Sequence, residues 1–426
     1  MENKFFKIVL SNALIFLSSI QISQAQSNYN LIYDNHFSSG VGAENLLTIH
    51  KAFYSFEDKY LPTEIFNGDK KSGKYLNIIY RASKNIIDYP TQVFLKLVQH
   101  EVFGHGARFS EFGYDGISYN LNLTPPFGTG KGFTSPWTSP KHATTIDEDI
   151  SIDVAGVEAC TILADAIRQK WVMDDSTNYN DFFLYFRTHY GISEYIYRTY
   201  YNNKMGDISD YLYALNLRNS KSGYSPTLIN SNSSNQYLSK DLLQYAVINL
   251  FDPFQFLAFY NWCGYIISGK PKGKLQMIKI GNVKYLPSFH LGLTPFGAEF
   301  YMDNYLKYQN RTFKIYGRLG DSRFENFWGG GISAFNIINN NYCYVNATTD
   351  IWNQPSLQLH NTENYLTHNG TNGLGVCVSA TAGVRISKKN PVSVVAICGY
   401  KTDGFLPGEI LNNGFFFRTG LSFLKR

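Results

Sequence analysis

The sequence predicts an α+β multidomain chain, with a mostly helical domain over residues 26–269 followed by an antiparallel β-barrel over 270–426. Apolar residues recur at spacings of three and four up to about residue 268, and at a spacing of two after Lys270. At 426 residues the chain also exceeds the usual size of one domain. Apolar residues make up 44% and charged residues 17%, which supplies a core and excludes a disordered or nucleic-acid-binding tail. The net charge of +5 selects no partner. Aromatic residues reach 16%, a surplus suited to rings laid against lipid or packed on many half-buried strands.

The chain opens with Lys4 and Lys7, an apolar stretch over 8–20, and the small residues Ser23 and Ala25. This is the three-part pattern of a secretory signal peptide over 1–25, cleaved after Ala25, and it implies export to the periplasm or outer membrane. A retained anchor is the alternative, for which the apolar run is short.

Ile86, Ile87, Val93, Phe94, Leu97, Val98 and Phe103 predict one apolar-faced helix over 85–107. Thr144 or Thr145, followed by Asp147, Glu148 and Asp149, opens a second helix that runs to about Val172. A third covers 181–201. Residues 242–250 and 254–268 form a helical pair broken at Asp252-Pro253; the break favours buried core over a membrane span. Between the first two helices, 124–140 is dense in Gly, Pro and Ser and reads as a long loop, either lining a cleft or merely connecting.

After Lys270, alternation predicts eight or nine strands of about ten residues, clearest at 288–294, 376–386 and 415–423. Membrane-spanning strands need about 9–11 residues, whereas strands of soluble sandwiches average about 5–6. One face is aliphatic or aromatic; the other carries His290, Arg318, Arg385 and Arg418. That division fits a barrel with outer-membrane lipid outside and a polar lumen inside. A soluble barrel or a sandwich packed on the helices is the alternative. The five cysteines form no disulfide framework, although one bridge, for example Cys377 to Cys398, would form if their strands were in register.

The helix ending near Ala107 contains His100-Glu101-Val102-Phe103-Gly104-His105. Two imidazoles beside a carboxylate are what a hydrolytic zinc site needs, the glutamate serving as base for a zinc-bound water. Five residues separate the histidines, however, and at about 100° per residue a regular helix turns the second about 140° away from the first. A one-residue π-bulge near Gly104 would bring them together. The alternative for both histidines is a hydrogen-bonded core pair. Glu158 lies in the apolar run Ala155-Gly156-Val157, a poor place for a solvated acid; it is either metal-bound or paired with Arg108 or Lys96. Asp153 and Asp165, on the same helix, are candidates for orienting the histidines. His142, His189, Tyr190 and Tyr185 are candidate donors to a developing oxyanion.

The segment His100 to His105 resembles the HEXXGH motif of the dipeptidyl-peptidase III family, and Glu158-Ala159-Cys160 is similar to that family's downstream Glu-Glu-Cys segment, with Val157 in place of its first glutamate. The resemblance covers about a dozen residues. It implies a gluzincin-like site in which His100, His105 and Glu158 bind Zn2+ and Glu101 is the general base. The carboxy-terminal strand, closing on Phe423, resembles the ending of outer-membrane barrel proteins, although Leu424-Lys425-Arg426 follow it. Together these readings predict an exported zinc metallopeptidase acting on peptides or proteins and held in lipid by a barrel. The competing expectation is a non-catalytic outer-membrane channel or interaction protein whose helical part is structural.

Overall fold

The computed structural model describes residues 27–424 apart from 69, 126, 139–143, 203–205, 220–237, 322–325, 361–371 and 387–391. The expected signal peptide and His142 lie outside the described residues.

The helical half opens with β1 (Asn28–Tyr33), α1 (Ser39–Tyr60) and α2 (Lys71–His100). A π-helix (Glu101–Gly106) and α3 (Ala107–Glu111) continue α2, followed by the hairpin of β2 (Ile117–Leu121) and β3 (Gly132–Pro136). Next come α4 (Ile146–Asp174), β4 (Ser176–Asn178), α5 (Phe182–His189), α6 (Gly191–Asn202), α7 (Asp207–Arg218), α8 (Ser239–Ala246) and α9 (Pro253–Ser268). The strands β5 (Lys272–Lys274), β6 (Ile278–Ile280), β7 (Val283–Thr294), β8 (Gly297–Tyr308), β9 (Arg311–Gly320) and β10 (Trp328–Asn339) follow. The last four are β11 (Cys343–Pro355), β12 (Asn372–Arg385), β13 (Val392–Lys401) and β14 (Gly414–Leu424).

Local chemistry accounts for the helix ends. Thr145 and Glu148 form a reciprocal capping box at the start of α4, and Asp175 ends it in the left-handed conformation. Asp252 caps α9, Pro253 occupies its first turn, and Gly269 closes it at φ 72°. The predicted third helix is two, α5 and α6, divided at Tyr190. Part of the predicted 124–140 loop is ordered as β3.

β1 and β6 to β14 form one ten-stranded antiparallel sheet in the order β1-β14-β13-β12-β11-β10-β9-β8-β7-β6. It is not closed into a barrel, which corrects the expected architecture. Helical side chains satisfy its free edges instead. Asn45 on α1 both accepts from the Ile32 amide (2.7 Å) and donates to the Ile32 carbonyl (2.9 Å), and Thr48 donates to the Asn30 carbonyl. At the opposite edge Asn249 accepts from the Leu291 amide (2.8 Å) and Tyr211 donates to the Thr294 carbonyl (2.9 Å). Exposed strand edges invite unwanted pairing, and these contacts occupy the β1 edge and the part of β7 that the short β6 leaves uncovered.

α4 runs along the polar face of the sheet. Arg168, fully buried, lies 3.4 Å from Asp303 and 3.5 Å from Asp252; Lys314 bonds Asp165, and Lys307 donates to the Val172 and Met173 carbonyls at the end of α4. One apolar cluster joins α1, α4, α5 and α9 to Leu286 and Tyr305 of the sheet. The change of period at residue 270 therefore does not separate two cores.

The outer surface inverts the usual distribution. The sheet exposes Ile315, Leu319, Ile332, Val378, Val394, Phe415 and Phe417 on the face away from α4. On α2, Ile86 and Ile87 are 73% and 67% exposed, while Asn77, Arg81, Lys84, Asp88 and Gln92 are buried. The expected apolar inner face of that helix is thus partly its outer face. α9 likewise exposes Phe256, Phe259, Tyr260 and Ile267, so it is only half-buried core. Among the described residues no single helix is long and apolar enough to cross a membrane; the pair 239–251 and 253–268 is bent by 54°.

The register rules out the example disulfide. Cys398 pairs with Ala380 and Cys377 with Lys401, so the two cysteines sit three positions apart on opposite faces, and both are free.

Candidate metal centre

The π-helix at Glu101–Gly106 supplies the extra residue in the turn that the five-residue histidine spacing demands. Gly104 lets it press against α4: a Cβ there would lie 2.7 Å from the Gly156 Cα and 2.8 Å from the Ala155 carbonyl oxygen. As a result the Nε2 atoms of His100 and His105 come within 3.3 Å.

Asp207, the first residue of α7, completes the cluster. Its Oδ2 lies 3.0 Å from His100 Nε2 and 3.4 Å from His105 Nε2. His100, His105 and Asp207 form a group that could hold a metal ion. Donor atoms about 2.1 Å from a tetrahedral ion stand about 3.4 Å apart, close to all three separations. The opposite wall is Gly156, where a Cβ would lie 2.5 Å from His100 Nε2 and 2.6 Å from His105 Nε2. The space between the rings thus exists because residue 156 has no side chain.

Hydrogen bonds orient the imidazoles. His105 Nδ1 donates to the Ile152 carbonyl at 2.8 Å, which leaves Nε2 as the lone-pair nitrogen facing the cluster. His100 Nδ1 lies 3.9 Å from Cys160 Sγ, and its ring stacks on Tyr195 with centroids 5.4 Å apart. Burial opposes a charge on His100, but the Asp207 carboxylate outweighs it and pushes the imidazole up to about 10. Burial likewise raises Asp207, yet the two histidines hold it well below the usual carboxylate range.

Glu101, next to His100 in the chain, is buried. Its Oε2 accepts from Thr134 Oγ1 at 2.8 Å, so β3 forms a wall of the site. Gly132 allows that approach, since a Cβ there would lie 3.1 Å from Glu101 Oε1. Further along the hairpin, Phe133 and Trp137 are exposed.

The structure does not bring Glu158 to this cluster. Both Glu158 oxygens lie 3.4 Å from Arg108 Nη2, and Oε1 accepts from the Gly408 amide at 3.0 Å. This is the ion-pair alternative, and it corrects the metal-ligand assignment. The cause is rotational: Gly156 faces the histidines, and two residues along α4 the side chain points about 200° away. Asp165 bonds Tyr305 and Lys314 of the sheet and orients neither histidine. Asp153 makes no bond to them; burial, with Asp210 and Asp207 nearby, pushes it up to about 8. Tyr185 bonds Asp252, Tyr190 bonds Gln255, and His189 bonds the Asn249 carbonyl, so all three serve the helical core.

Asp207 escaped sequence reasoning because it belongs to Asp207–Arg218, a short helix 102 residues beyond His105 with no motif around the acid. Its one signal was an acid at a helix start, which capping alone explains. Compared with family models, curated proteins and solved structures, the chain matches none, and the reading of this centre rests on its own geometry.

Proposed function

We propose that the chain is a zinc-dependent hydrolase, most simply a peptidase, attached to the outer membrane. The observation that carries the reading is the convergence of three donor atoms at tetrahedral spacing, with the buried Glu101, next to His100 in the chain, held by Thr134. A zinc ion held there by His100, His105 and Asp207 would supply Lewis acidity and lower the pKa of a water in its open position. Glu101 takes the proton from the attacking water and passes it to the leaving amine. Thr134 holds that carboxylate in place, and His105 keeps its tautomer through Ile152. The Asp207 side chain is 25% exposed, making its side of the cluster the approach for substrate. The order HEVFGH supports a site design shared with the HEXXGH peptidases, with a different third ligand.

Metal analysis and one variant test this reading. The purified chain should carry about one zinc, lost on His100→Ala or His105→Ala, and Glu101→Gln should keep zinc while losing hydrolysis of a peptide library. Metal-free protein with unchanged folding, or full activity in Glu101→Gln, rejects it.

Attachment to the membrane is supported by the inverted surface, apolar outside and charged around α4. Backbone groups near lipid need partners, and Asn45 and Asn249 supply them at the sheet's edges. The chain should partition with the outer-membrane fraction and require detergent; recovery in a detergent-free soluble fraction refutes attachment. A second reading, a non-catalytic channel or interaction protein, draws on two cavities of about 250 and 280 Å3 between the helices α1 and α4 and the sheet. Stoichiometric zinc with Glu101-dependent hydrolysis would exclude it.

A further inference from the structure

The connections at the two ends of the sheet differ in length. At one end β8–β9 and β10–β11 are joined by two and three residues, and β12–β13 by six. At the other, after a two-residue β7–β8 turn, the connections are seven (321–327), sixteen (356–371) and twelve residues (402–413). The paired strand ends Asn28 and Leu424 lie at the short-turn end.

The candidate metal centre belongs to the long-connection end. Near the start of α4, Asp147 accepts from the Gln358 amide at 2.7 Å and Glu148 from the His360 amide at 3.0 Å. Glu158 accepts from the Gly408 amide. One apolar cluster gathers Phe112, just past α3, and Ile152, whose carbonyl orients His105, with Phe296, Phe327, Leu359 and Phe405 from all four connections at that end. The other end of α4 meets the short-turn side, where Lys307 holds its last carbonyls.

Closed membrane barrels of the outer-membrane type carry short turns on the periplasmic side and longer loops outside the cell; this sheet is open, and what it shares with them is antiparallel strands of 10 to 14 residues and an apolar outer face. We infer that the metal centre opens on the cell exterior and that its substrates are extracellular peptides or proteins. This rests on the membrane-attached reading above. The asymmetry of the connections sets the direction, and the bonds from Asp147, Glu148 and Glu158 tie α4, the helix packed against the π-helix, to the outward loops.

The test uses the full chain in the outer membrane of a host cell, with a single thiol placed at either end. Ser356→Cys marks the long-connection end and Asn341→Cys the short-turn end; both positions are exposed, and both variants carry Cys398→Ala to remove an exposed native thiol. A membrane-impermeant maleimide should label Ser356→Cys on intact cells as fully as after permeabilisation, and Asn341→Cys only after permeabilisation. Intact cells should also hydrolyse a peptide too large for porins, and Glu101→Gln should abolish this. The reverse labelling pattern, or hydrolysis only after permeabilisation, overturns the orientation and leaves membrane attachment standing. Equal labelling of both thiols on intact cells overturns it as well. A chain recovered without detergent overturns the membrane reading itself, and the orientation with it.

Discussion

Thr134 Oγ1 lies 2.8 Å from Glu101 Oε2 and 3.0 Å from the Glu101 carbonyl oxygen, so one hydroxyl on a β-hairpin fixes the carboxylate of a π-helix. Hydrogen bonds to charged groups contribute about 1.5–3 kcal/mol, equivalent to about 10- to 100-fold in rate when the bond holds a catalytic base. Thr134→Val should lower kcat by that order with zinc content unchanged. Thr134→Ser should restore most of the activity, and steady-state kinetics with metal analysis checks both.

Gly156 leaves open the space between the two imidazoles. In an ordinary helix interior, Gly→Ala adds about 1 kcal/mol of stability. Here the new methyl would lie 2.4 Å from His100 Cε1. Gly156→Ala should therefore lose zinc while far-UV circular dichroism stays native, and stoichiometric zinc in that variant would reject the geometry.

Asp207 and Glu158 make opposite predictions. Asp207→Asn should lose metal and activity with the fold intact. Glu158→Gln should keep zinc, since Glu158 holds Arg108 and the Gly408 amide. It should lose stability, by about 1–3 kcal/mol, because Arg108 keeps Glu111 as a second partner at 2.6 Å. Metal analysis and chemical denaturation of the two variants separate the roles.

His189 sets a dependence on acid. Burial holds it down at about 4 despite the Asp252 carboxylate 3.7 Å away, whereas its ordinary value is 6.5. Between those values the unfolded chain binds the proton and the folded one does not, so stability is present above about 6.5 and falls as pH drops toward 4. His189→Gln should flatten that part of the profile, as followed by thermal melts across this range.

Asn45 replaces a neighbouring strand for Ile32. Asn45→Leu leaves a backbone amide and a carbonyl unpaired, which should cost about 2–5 kcal/mol. Denaturation midpoints compared with Asn45→Gln and the parent chain check this.

The sequence by itself determined the local features. The eight long strands, the capped helix α4 and the Asp252-Pro253 break were legible because alternation, capping chemistry and proline act over a few residues. The His100 to His105 spacing even required the π-bulge that is present, since five residues of regular helix cannot aim two rings at one point. Tertiary structure decided what depends on distant packing: the open sheet, the outward face of α2, and the third acid. Ile86 and Ile87 read as core because periodicity marks an apolar stripe without saying what lies against it. Glu158 and Asp207 are both acids on helices. Only the rotation of α4 about its axis and the approach of α7 made one a partner for Arg108 and set the other 3.0 Å from His100. The aromatic surplus likewise became a surface only once the sheet had wrapped its charges around α4 and turned Phe415 and Phe417 outward.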